Sequence, residues 1–287
     1  MPPLQKSRKN EWRKVTPYER APLDIDPVAR EVEKKMDILQ IYKSSIEFDR
    51  ILSAKKVSLR PEASFWYPYG TLSNFGHLNA LLNGKNRLLL ELASGGRAAD
   101  IGGADGDLAF FLETLGLSVD LIDHGPTNFN GLQGVGLLKE ALGSRVEISD
   151  VDLDAQFTLP RESYGLVFFL GILYHLKNPF YVLEALSRCA EFCLISTKIT
   201  RFASDKQTRL AGVPVAYLLD EREANNDPTN FWVFSDAGFR RILKRTGWEI
   251  RDYMTVGNTI NSDPASPEGD ERAFCLVQSR RVAVERA

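Results

Sequence analysis

A chain of 287 residues with 44% hydrophobic and 10% aromatic content can bury one sizeable core, which excludes a wholly disordered polymer. The formal net charge of −2 excludes a global basic field of the kind that by itself attracts nucleic acid. Three cysteines, Cys189, Cys193 and Cys275, are too few for a disulfide framework or a four-ligand zinc set, and no C-x-x-x-C-x-x-C cluster offers a radical iron–sulfur centre; reduced, buried thiols are expected.

The chain opens with a basic arm, Lys6, Arg8, Lys9, Arg13 and Lys14, read as a solvated tail with phosphate contact as the alternative. This end carries no apolar core of a secretory leader. The longest uncharged apolar run, around 166–173, is too short to span a bilayer, so a cytoplasmic protein without membrane contact is expected. From Asp26 and Pro27, which suit a helix cap and first helical position, Val28, Val32, Met36, Leu39 and Ile46 recur near helical period. The run 65–70 then packs four aromatics, Phe65, Trp66, Tyr67 and Tyr69, before a helix expected over 73–83. These rings are read as a clasp joining a helical extension (1–60) to the main domain (61–287), with ligand contact by Tyr69 as the other reading.

Ala98 to Gly106 reads as a short buried strand running into a glycine turn and then a helix over 107–115. Glycines 102, 103 and 106 remove the Cβ atoms that block close approach of a ligand, and the helix start presents free N–H groups. The spacing departs from G-x-G-x-x-G, since Ala104 and Asp107 stand where a dinucleotide fingerprint has its second and third glycines. Asp105 and Asp107 would moreover repel a pyrophosphate there, so a cation-bearing ligand is expected. The D-x-G-x-A-x-G pattern from Asp100 to Gly106 resembles the first motif of class I S-adenosylmethionine (SAM) methyltransferases, with alanine replacing the usual middle glycine.

Further strands are expected over 119–123, 145–149, 164–170 and 192–199, alternating with helices that include 179–190. Residues 200–234 interrupt the alternation with a polar and aromatic excursion, read as an insertion on the substrate side. A helix over 235–246 and strands over 248–256 and 273–278 complete the pattern. Such alternation predicts right-handed crossovers into a mostly parallel sheet with helices on both faces.

In an open parallel sheet ligands bind beyond the carboxyl ends of the strands. Asp123 ends the second strand, where a carboxylate accepts both ribose hydroxyls. Beyond the third strand, one carboxylate of Asp150, Asp152 and Asp154 suits an adenine amino group while Leu153 packs on the ring face; the resemblance to class I methyltransferases favours Asp152, with a solvated acidic loop as the alternative. After the fourth strand, Gly171-Ile172-Leu173-Tyr174-His175 resembles the G-V-L-Y-H segment of the tRNA wobble-uridine carboxymethyltransferase family and its uncharacterised methyltransferase relatives, and weaker similarity runs through Asn230 to Gly247.

The resemblance implies a Rossmann-like class I methyltransferase with a seven-stranded α/β sheet, SAM as cofactor, and Asp100, Gly102, Gly103, Gly106, Asp123, Asp152, Leu153 and Gly171 around it. It places Tyr174 beside the reactive end of the donor and assigns Arg272 to an anionic group. His175 is a candidate base or a tie to backbone. Asn230 and Trp232 are candidates to roof the acceptor, Asn230 through a hydrogen bond, with Trp232 alternatively pinning the excursion to the core. The family's carboxylate-gripping lysine has no counterpart in 65–70, which favours SAM over carboxy-SAM. A small-molecule acceptor leads, with a tRNA-modifying carboxymethyltransferase and a non-catalytic SAM-binding protein as alternatives; no metal is implied, and oligomeric state is open.

Overall fold

The computed structural model describes residues 36–63, 65–68 and 70–285. In chain order they form α1 (Ile38–Leu59), α2 (Asn74–Leu81), α3 (Leu89–Leu92), β1 (Arg97–Ile101), α4 (Asp107–Thr114), β2 (Ser118–Asp123), α5 (Gln133–Leu142), β3 (Glu147–Asp150), β4 (Tyr164–Leu170), α6 (Pro179–Cys189), β5 (Ala190–Thr200), β6 (Ala216–Leu218), β7 (Trp232–Ser235), α7 (Asp236–Arg245), β8 (Trp248–Gly257), β9 (Glu271–Ser279) and α8 (Arg280–Glu285).

Strands β1 to β5 are parallel in the order β3-β2-β1-β4-β5, and β9 returns antiparallel between β5 and β8. A strand covered on both faces must be apolar at odd and even positions alike. In β4, Leu166 and Phe168 join a core layer with residues of α1, α2, α4 and α5, while Val167 and Phe169 join a second layer with residues of α6 and α7. The expected seven-stranded frame is therefore present, with helices on both faces.

Among the described residues the sheet has nine strands, because the excursion expected over 200–234 supplies two more. β6 pairs antiparallel with β7, and β7 extends the end of β5. The buried Val233 and Phe234 drive this pairing, and the polar run before them hides it in the sequence. Among the described residues, α1 breaks the expected helical run at Met36 and Asp37. It starts at Ile38, where the Asp37 side chain accepts from the Leu39 N–H and Gln40 closes a capping box onto the Asp37 N–H. Asp26 and Pro27 lie outside the described residues. Its core stripe is Ile38, Ile41, Ser45 and Leu52, whereas Leu39 and Ile46 are exposed.

Gly165 in β4 is required by close packing rather than by its dihedrals. A Cβ there would overlap the backbone nitrogen of Ser94. Gly165→Ala is expected to lower stability by about 1–3 kcal/mol, read as a fall in the denaturant midpoint; an unchanged midpoint would contradict this packing.

Candidate active site

The parallel strands deliver Ile101, Asp123, Asp150, Leu170 and Thr200 to one edge of the sheet, and the antiparallel return brings Arg272 there opposite Lys198. The turn after β1 follows a partly left-handed path, with φ of 73° at Gly102, 53° at Ala104 and 86° at Gly106. Only Ala104 pays a Cβ penalty for it. That residue is held by its N–H, which donates to Asp123 Oδ2 at 2.9 Å, while Asn128 Nδ2 reaches the same oxygen at 3.1 Å.

Each of the three glycines is also required by packing within the protein, a constraint the sequence did not show. A Cβ at Gly102 would overlap the end of the Ile172 side chain. One at Gly103 would meet Leu121 at 2.7 Å and Asp100 Oδ2 at 3.0 Å, and one at Gly106 would meet Phe110 and Val135 at 2.8 Å.

Asp100 points toward this turn from β1. Its Oδ2 is buried and has no hydrogen-bond partner among the described residues. Burial, reinforced by the neighbouring charge of Asp123, pushes its pKa up to about 7. Asp123 is itself raised by burial, against hydrogen bonds from His124, Asn128 and Ala104 that favour its charged form. An unmatched buried carboxylate oxygen fits an ammonium group and repels a phosphate.

Asp105 and Asp107 do not confront the ligand side as expected. Both turn toward Lys56 of α1, whose Nζ lies 2.9 Å from Asp105 Oδ2 and 2.8 Å from Asp107 Oδ1. Asp105 also accepts from Tyr67 N–H at 2.9 Å and from Asn130 Nδ2 at 2.8 Å. Burial raises the Asp107 pKa although Lys56 opposes it. Burial works against the Lys56 ammonium, yet Asp107 and Asp105 together hold its pKa above the ordinary lysine value. Lys56 was not singled out from the sequence, although it continues the stripe Ile41, Ser45, Leu52 at helical spacing, and a lysine on a core-facing stripe is a legible signal.

The three acids after β3 divide their tasks. Asp150 Oδ1 accepts from Gly125 N–H, and Asp154 accepts from the N–H groups of Lys177 and Asn178, which ties the loop after β4 to the loop after β3. Asp152 Oδ1 caps its own turn by accepting from Asp154 and Ala155. Leu153 is buried in the layer that contains Ile101 and Ile122, and Ile172 packs against that layer.

Across the edge, Gly171 at φ 80° lets the chain turn so that Tyr174 and Arg272 meet. The Arg272 guanidinium sits 5.7 Å from the Tyr174 ring centre, with Nη2 3.5 Å from its hydroxyl. His175 Nδ1 is 3.1 Å from the Thr229 carbonyl, and the Thr229 hydroxyl donates to Asp227. That pattern requires the proton on Nδ1 and leaves Nε2 as the acceptor. Burial lowers the His175 pKa, and the charges of Lys198 and Arg272 lower it further. Asn230 is buried, its Nδ2 donating to the Ala224 carbonyl, and Trp232 Nε1 reaches the Lys177 carbonyl. Trp232 thus ties the excursion to the loop after β4, the other role the sequence left open for it, whereas Asn230 braces the excursion internally. Tyr69 lies outside the described residues.

No protein-family model matches the chain, and no curated protein matches it in sequence. Solved structures match its fold. The N-terminal domain of EvdMO1, solved with SAH bound, aligns with 86% of this chain and 98% of its own at 16% identity and a TM-score of 0.50. The 1,6-didemethyltoxoflavin-N1-methyltransferase of Burkholderia thailandensis aligns with 64% of this chain and 70% of its own, at 15% identity and a TM-score of 0.42. The chain has the mixed α/β, Rossmann-like fold of class I methyltransferases.

Because the Asp100 pKa rises from 3.8 to about 7 on folding, the folded chain holds a proton that the unfolded chain has released across that window. This group therefore costs stability progressively as pH rises through it. Asp100→Asn is expected to gain stability over the native protein between pH 4 and pH 8, with the gain growing as pH increases, as measured by urea unfolding; a gain independent of pH would contradict the assignment.

Proposed function

We propose that this protein is an enzyme, a SAM-dependent methyltransferase acting on a small molecule. The observation that carries the reading is the unmatched buried oxygen of Asp100 beside Asp123 at the strand ends of a methyltransferase fold. When bound, SAM supplies an electrophilic methyl on a sulfonium, transferred by in-line displacement as its bond to sulfur breaks.

Asp100 holds the donor's ammonium, and neutralises its own buried charge in doing so. Asp123 keeps one lone pair, on Oδ1, for a ribose hydroxyl beyond those used by Ala104, His124 and Asn128. Gly102, Gly103 and Gly106 shape the turn beneath the donor, Asp152 and Leu153 flank the adenine, and Gly171 sets the chain path toward the reacting end. Tyr174 lines that end. His175, kept neutral by burial and by two nearby cations, takes a proton at Nε2 from an acceptor that must lose one. Asn230 and Trp232 hold the excursion over the acceptor and exclude water.

A second reading has one observation in its favour. Arg272 lies against Tyr174 and has no carboxylate partner among the described residues, which suits an anionic group at the reacting end and hence a carboxylated donor of the carboxymethyltransferase kind. Mass spectrometry of the donor that co-purifies separates SAM from carboxy-SAM.

Calorimetric titration tests the main reading. SAM and S-adenosylhomocysteine are expected to bind and NAD to be refused, and Asp123→Ala is expected to weaken SAM by about tenfold or more. Binding of NAD alone overturns the proposal.

A further inference from the structure

The buried ion cluster at the start of α4 has a place in no chemical step, yet it is hydrogen-bonded to segment 65–67 and to the loop after β2 that borders Asp123. Lys56 Nζ bonds Asp105, and Asp105 bonds both the Tyr67 N–H and Asn130 Nδ2. Asn130 Nδ2 also reaches the Phe65 carbonyl, and the Tyr67 hydroxyl accepts from the Phe129 N–H. The Asn130 N–H in turn donates to Asn128 Oδ1, and Asn128 Nδ2 donates to Asp123. A continuous path of hydrogen bonds thus runs from α1 to the carboxylate that shapes the turn. The rings follow it, with Tyr67 stacked on Phe129 at 5.4 Å and Phe65 edge-on to both.

Electrostatics makes Lys56 the member on which the others depend. Asp100, Asp105, Asp107 and Asp123 crowd one turn, and Lys56 is the cation bonded to two of them with its side chain 15% exposed. Without it two buried carboxylates face each other unneutralised, and at least one must take up a proton or swing outward. An outward swing of Asp105 removes the acceptor that holds the Tyr67 N–H and Asn130, and a proton on either acid weakens the charge-assisted bonds that fix Asp105 in place.

We propose that Lys56 is a positioning residue of the donor seat, drawing Asp105 and Asp107 away from the ligand side and thereby holding segment 65–67 and loop 124–132 closed beside Asp123. The proposal rests on the methyltransferase reading above. It is tested with S-adenosylhomocysteine as the calorimetric probe on the full chain.

Lys56→Met is expected to weaken binding by about tenfold or more, and Lys56→Arg to restore it to within about threefold of the native value. Arg87→Met serves as the structural control. It removes the cation that pairs with Asp37 at 2.8 Å at the other end of the same helix, so it loosens α1 without touching the turn, and it is expected to leave affinity within about twofold. Where Lys56→Met does not fold, the double change Lys56→Met with Asp107→Asn removes the excess charge and takes its place.

Equal losses in Lys56→Met and Arg87→Met, unchanged affinity in Lys56→Met, or failure of Lys56→Arg to restore binding each overturns the proposal while leaving the methyltransferase reading intact. A native protein that refuses the probe overturns both.

Discussion

Asp123 holds the turn after β1 in a path that its sequence alone would resist. A non-glycine residue in the left-handed region costs about 1–3 kcal/mol, and Ala104 adopts φ 53°. A hydrogen bond to a charged group contributes about 1.5–3 kcal/mol, and Asp123 accepts from the Ala104 N–H and the Asn128 amide together. The carboxylate therefore wins, and the turn, the start of α4 and the position of Asp100 follow from it. The same constraint explains why burial raises the pKa of Asp123 while its donors pull the other way. It is kept charged enough to accept and dry enough to matter.

The parts of the fold that were legible in the sequence are those in which one chemical pattern had one structural outcome. The run Tyr164–Leu170, apolar on both faces, forms β4 at the expected boundaries, and the helix expected over 235–246 forms α7 at Asp236–Arg245. What escaped depended on distant pairing. Lys56 and Asp105 are 49 residues apart, so neither sign of charge announces the partner, and a rule that sets Asp105 and Asp107 against an incoming phosphate fails once a lysine from α1 meets them. Glycines 102, 103 and 106 were visible as a turn, but whether their bare faces met ligand or protein was not, because Ile172, Leu121 and Val135 arrive from other elements. The pairing of β6 with β7 was hidden for the same reason.

Around His175 the arrangement is one of cations near a neutral ring. Lys198 is paired with Asp270 at 2.8 Å, Arg272 faces Tyr174, and between them His175 loses affinity for its proton. Tyr174 is tied from both directions, by Arg272 at its hydroxyl and by the Phe231 N–H at its carbonyl. Aromatic and basic side chains are thus held at the strand ends by residues drawn from the excursion and from β9, elements that meet only because β9 runs antiparallel.

The two halves of the edge hang from separate tethers. The turn after β1 is anchored through Lys56 to α1, whereas the segment 171–176 is anchored through Phe231 and Thr229 to the excursion. An evolutionary or laboratory exchange of the excursion can therefore reshape one flank of the edge and leave the turn on the opposite flank standing, so that novelty in this fold can arise by grafting rather than by rebuilding.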